Sequence, residues 1–127
     1  MQSVDKWPEI ARHIAGSRMT VVAQRDATVL VIGVNDATLE IIVPHNVPEW
    51  FVTVRDSGGV PVLSDWMDHY YRPQAQLDLE MRGEICSFVE SVLGTGTRLR
   101  MTPRGQILET ERDGEWTQIL PFVAEAR

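Results

Sequence analysis

Residues 64–71 read SDWMDHYY, which places two carboxylates, an imidazole and three aromatic rings in eight positions. Three chemistries are open to such a stretch. Asp65, Asp68 and His69 are metal-ligand types, since carboxylate and imidazole suit several divalent ions. The same groups could move protons in a small hydrolase. Aromatic rings ringed by acids are also what a surface needs to grip a basic partner.

Spacing weakens the first two readings. A strand sends alternate side chains to opposite faces, so Asp65 and His69 share a face while Asp68 lies on the other. Convergence on one ion would need the strand to break. His45, in PHNVPE beside Glu49, is the distant group that would complete a site. A metal-dependent hydrolase built on His45, Asp65, Asp68 and His69 is therefore a third-ranked expectation, and no metal or cofactor is expected.

Nucleophilic catalysis has no better footing. The chain holds no Gly-x-Ser-x-Gly elbow. Ser57-Gly58-Gly59 is followed by a strand-like run, so it lacks the helix N-terminus that binds phosphate and reads as a hairpin turn. Cys86 sits in an apolar helical pattern and reads as a structural thiol. His13, His45 and His69 are scattered along the chain. His13 falls in the last turn of a helix, where a cation favours the dipole.

The elements that position these groups follow from periodicity. Asp5 caps a short first helix with Pro8 in its first turn. Trp7, Ile10, Ala11 and Ile14 form its apolar stripe, and Gly16 stops it. MTVVAQ, ATVLVIGV, TLEIIVP, WFVTVRD and VPVLSDWM then read as five strands with short links, which implies an antiparallel meander. Residues 73–93 return to the helical period, with Leu77, Met81, Ile85, Phe88, Val89 and Val92 on one face and Gly94 as the stop. TRLRMTP, GQILETER and WTQILPF supply a C-terminal hairpin, where Arg98, Arg100, Arg104 and Trp116 read as sheet surface. The order predicts one α+β domain over residues 1–127, with two helices on one face of an antiparallel sheet.

The β-hairpin over residues 50–67 can be read in detail. With Asp56 facing Gly59, Val54 pairs with Pro61 and Val52 with Leu63. Trp50, Val52, Val54, Leu63 and Met67 then line one face. Phe51, Thr53, Arg55, Ser64, Trp66, Asp68 and Tyr70 line the other. A one-residue slip would exchange the faces of one strand. In this register Phe51, Asp65, Trp66, Asp68, His69 and Tyr70 are the candidate partner-binding residues. The competing reading packs Trp66 and Tyr70 under the second helix and leaves the acids at the rim.

Charge supports a binding reading. The chain has 127 residues, is 43% hydrophobic and 24% charged, and carries a formal net charge of −6. Residues 36–90 hold ten acids and three bases, so the whole excess lies in the middle. An acidic surface repels phosphate backbones and suits a basic partner, so no nucleic acid is expected. Acidity also serves solubility. No membrane is expected, because no run of 18 apolar residues occurs. A single cysteine and no basic, apolar leader point to the cytoplasm. In size, charge and layout alone, the chain resembles small acidic bacterial proteins that neutralise or escort a partner. The leading expectation is a non-enzymatic module, immunity-protein-like, that binds a basic protein. The alternative is a homodimeric secretion-chaperone or adaptor-like protein.

Overall fold

The computed structural model describes residues 16–35, 37–68, 74–93 and 96–122. A single 3-10 turn, Gly16–Arg18, leads into strand β1, with Gly16 in the left-handed region at φ +61°. Five strands follow: β1 Met19–Ala23, β2 Ala27–Gly33, β3 Ala37–Pro44, β4 Glu49–Asp56 and β5 Pro61–Asp68. They form one sheet in sequence order, every pair antiparallel, as short links between β-branched runs require. Helix α1 spans Gln74–Val92. Strands β6 Gly96–Thr102, β7 Gly105–Arg112 and β8 Glu115–Leu120 make a second antiparallel sheet.

The expected C-terminal hairpin is thus a three-stranded sheet. Two turns build it. Asp113 and Gly114 both have positive φ, 53° and 81°, the geometry of a two-residue hairpin turn that matches strand twist. The Thr102 side chain closes the other turn: its hydroxyl donates to the Gly105 carbonyl and accepts from the Arg104 amide.

Two helices on one face are not what the described residues show. They contain one helix, and the protein is largely β. The expected first helix, over Asp5–Gly16, falls on residues 5–15, which lie outside the described residues, as does His13. No helix among the described residues is long and apolar enough to cross a membrane.

One core joins both sheets and the helix. The inner face of the first sheet contributes Leu30, Ile32, Leu39, Ile41, Val43, Trp50, Val52 and Val54; α1 contributes Met81, Ile85, Phe88, Val89 and Val92; the second sheet contributes Leu108 and Leu120. Burial alternates along β3 without a break, the signature of a sheet face packed on a core. Each such side chain contributes roughly 1.5–3 kcal/mol by leaving water. At its centre Trp50, Phe88 and Phe122 meet edge to face in a triad, with centroids 5.3–5.7 Å apart. The Trp50 indole N–H donates to Glu84 on α1 at 3.2 Å, which satisfies the one polar atom of a fully buried ring. Thr97 donates its hydroxyl to the Val92 carbonyl at 2.9 Å, so the first strand of the second sheet caps the end of α1. Cys86 is half-buried against this core, and burial pushes its thiol pKa up. This makes the thiolate scarcer and the group less nucleophilic.

Candidate functional site

The β4–β5 hairpin turns at Ser57–Gly59, but its register differs from the expected one. Val54 faces Leu63, not Pro61, and Val52 faces Asp65, not Leu63. Two single-residue displacements produce this. The Asp56 carboxylate accepts from the Gly58 and Val60 amides, both at 2.9 Å, so Val60 rather than Gly59 closes the turn opposite Asp56. A bulge between Val54 and Arg55 then adds the second. One displacement would have exchanged the faces of β5. Two restore the parity, and the expected faces survive: Trp50, Val52 and Val54 lie with Leu63 and Met67 inside, and Phe51 and Thr53 with Ser64 and Trp66 outside.

Four of the six candidate residues can be placed. Trp66 is 53% exposed on β5 and pairs directly across from Phe51. Two register positions along, on the same face, Asp68 faces Glu49. These four side chains share the outer face of the sheet. Like charges directly opposite one another are destabilising, and neither carboxylate has a cationic partner among the described residues. Trp66 therefore does not pack under the helix, which lies on the inner face. An open depression of about 470 Å³ borders Ile42, Phe51, Thr53, Ser64 and Trp66.

Asp65 belongs elsewhere. It has the inner parity, and its Oδ2 accepts the Phe122 amide at 2.6 Å, while Oδ1 accepts the Trp66 amide at 2.9 Å. It fastens the chain beyond β8 to β5, close to the Trp50–Phe122 contact. His69 and Tyr70 lie outside the described residues.

The hydrolase set is not assembled by its described members. Asp65 points inward to Phe122, Asp68 stands on the outer face, and the His45 ring shares a hydrogen bond with the Thr28 hydroxyl at 2.9 Å. Among the described residues no group of three or more His, Cys, Asp or Glu side chains is placed to hold a metal.

The second sheet carries a separate charged cluster on its outer face. Glu109 on β7 is buried, and Arg98 and Arg100 on β6 both donate to it at 2.9 Å. The hydrogen bond from Arg100, with that from Arg98 and both charges, outweighs burial and holds the Glu109 carboxyl below the usual carboxylate range. The Arg98 guanidinium also stacks 4.0 Å from the Trp116 ring centre, a cation–π contact. These residues are mutually satisfied and form a sheet surface.

Part of the outer face of the first sheet could not be anticipated from residues 64–71. Register places Val22 opposite Val29, Val29 opposite Ile42, Ile42 opposite Phe51 and Phe51 opposite Trp66. One apolar side chain from every strand thus stands in a single cross-strand row on the side away from the core. Its signal was present in ATVLVIG, which is apolar at every position except Thr28 and Gly33. Such runs belong to strands covered on both faces. No protein-family model matches the chain, and no curated protein or solved structure matches it.

Proposed function

We propose that the chain is a non-enzymatic protein-binding module that engages a basic protein partner through the outer face of β4 and β5. The observation that carries this reading is Trp66: a large aromatic ring more than half exposed, backed by Phe51 and flanked by Glu49 and Asp68, which have no cationic partner among the described residues. Tryptophan anchors bury much area at small entropy cost, and acids at the rim select and attract a basic partner. The spread of these groups over an open sheet face also favours binding over catalysis, which needs convergence in a concavity. Asp65 supports the proposed surface from the inner side. An immunity-type role in the cytoplasm, masking a basic protein, fits the charge.

The test is to capture the partner, identify it by mass spectrometry and measure its binding kinetics. Trp66→Ala is expected to weaken binding by about 2 kcal/mol or more, mostly through the off-rate. Asp68→Asn is expected to slow association, and less so at high salt, because the Debye length falls from about 10 Å at 0.1 M to about 3 Å at 1 M. If both variants fold and bind like the parent, the reading fails.

A further inference from the structure

A cleft that the proposed partner surface leaves free opens where the two sheets meet. It encloses about 690 Å³, and its walls are β4 and β5 near their shared turn, the β6–β7 turn and Pro121 just after β8. We infer that this cleft is a binding site for a small organic acid with one carboxylate and an apolar body, held chiefly by Arg104. The inference does not depend on the binding reading above. It adds a second site, of opposite charge, to the chain.

The polar lining selects the charge. Arg55, Ser64, Arg104 and Gln106 line the cleft and can all donate hydrogen bonds, and no carboxylate lines it among the described residues. In a chain of net charge −6 that is a local reversal. Arg55 is already neutralised by Glu40 and also donates to the Gly59 carbonyl. The Arg104 guanidinium has neither a hydrogen bond nor an ion pair among the described residues; only its backbone amide is bonded, to the Thr102 hydroxyl. The cleft thus holds one cation to spare, which balances one carboxylate and not a phosphate dianion. A guanidinium also meets a carboxylate through two parallel hydrogen bonds.

Gln106 gives independent support. Its Oε1 is buried without a hydrogen-bond partner, an arrangement that costs stability. Folding therefore does not account for a carboxamide here, whereas the amide nitrogen at its other end gives a ligand one more donor. Val62, Leu63 and Pro121 line the rest of the cleft, so an apolar body can leave water beside them. The volume falls within the roughly 300–1,000 Å³ of small-molecule sites. The walls are also fixed before a ligand arrives. The Thr102 hydroxyl locks the turn that carries Arg104, and Gln118 donates to the Pro121 carbonyl at 2.8 Å. Such preorganisation lowers the cost of binding.

The probes are hydrocinnamate, its neutral amide and phenyl phosphate, each titrated into the full chain and followed by amide shifts in two-dimensional NMR spectra. Hydrocinnamate is expected to saturate with a Kd of about 1 mM or tighter. It is expected to shift the amides of Ser64, Gly105 and Gln106 most. It should bind at least about tenfold more tightly than its amide, and no less tightly than phenyl phosphate. Arg104→Gln is expected to weaken it by about tenfold or more, with Arg104→Lys falling between. Gln106→Leu is expected to weaken it while leaving the urea midpoint unchanged or higher, since it removes an unpaired buried acceptor. Arg112→Gln, which removes the same charge at the far end of β7, is the control and is expected to change nothing.

Capture of a basic partner through Trp66 does not bear on these titrations, so the two readings stand or fall separately. No saturable shift up to about 10 mM, equal binding of acid and amide, or tighter binding of the phosphate overturns the inference. So do shifts centred on Trp66 instead of the cleft. Full binding by a folded Arg104→Gln overturns it as well, and so does an equal loss in Arg112→Gln, which would mark a diffuse effect of charge.

Discussion

Trp50 and Phe88 meet with their ring centres 5.4 Å apart and their planes at 61°, and this contact ties helix α1 to the middle of the first sheet. The Trp50 indole reaches Glu84 one turn away on the same helix, so the helix is held by both an apolar and a polar bond to one strand residue. Phe122, after the last strand, completes the cluster. β4 and the segment just after β8 therefore depend on the same side chain of α1. Replacing Phe88 with Ala is expected to cost about 3–5 kcal/mol, the usual range for a buried phenylalanine. Urea denaturation measures it, and a loss below about 1 kcal/mol would mean that the ring is not core.

Much of this was legible along the chain, for reasons that particular residues show. The strand runs and their Gly, Asn and Asp links are local signals, and all five strands of the meander stand where those signals put them. Ile85, Phe88 and Val92 are buried because a 3.6-residue period has to face something apolar. The faces of β5 were legible as well, because side-chain parity survives any even shift. Its register was not, since the Asp56 carboxylate and the bulge act together to move the pairing by two. The row from Val22 to Trp66 was out of reach because it depends on four successive pairings at once. A single strand shows only that it is apolar on both sides, never which residues across the sheet share its row.

Asp65 tests how far the inner hydrogen bonds hold the surface in shape. Removing its carboxylate leaves the part-buried Phe122 amide without its acceptor, at a cost of about 1–3 kcal/mol. Asp65→Ala is expected to lose that stability and to speed amide exchange at Phe122. Asp65→Asn, which keeps one oxygen acceptor, is expected to lose less. If Asp65→Ala is as stable as the parent and Phe122 exchange is unchanged, the bond does not fasten the segment after β8.

Glu109 sets an expectation for pH. Its carboxyl is held below the ordinary range chiefly by the hydrogen bond from Arg100, with Arg98 adding to it. A group whose folded pKa is depressed stabilises the fold above its unfolded pKa and loses that contribution as pH falls through the folded value. Acidification below the ordinary carboxylate range is therefore expected to erode stability, and Glu109→Gln is expected to flatten that part of the curve. Urea midpoints taken between neutral pH and about pH 3 decide it. Parallel curves for parent and variant would mean that Glu109 contributes nothing to the slope.

Glu49 and Asp68 should reveal themselves even without a partner. They stand opposite one another on β4 and β5, and like charges in that position destabilise a sheet by roughly 0.2–1 kcal/mol. Neutralising either one, as Glu49→Gln or Asp68→Asn, is expected to stabilise the free chain by an amount in that range. The double change is expected to add little beyond the better single one, because either removes the same repulsion. Raising the salt should shrink the gain, since both groups lie at the surface and the Debye length falls to about 3 Å at 1 M. The sign is what discriminates. A residue kept for folding becomes less stable on replacement, whereas a residue kept for a partner can be replaced with a gain in stability and a loss in binding. If both single changes destabilise the free chain, the pair is already satisfied within the fold, and the charge argument for a basic partner loses its footing.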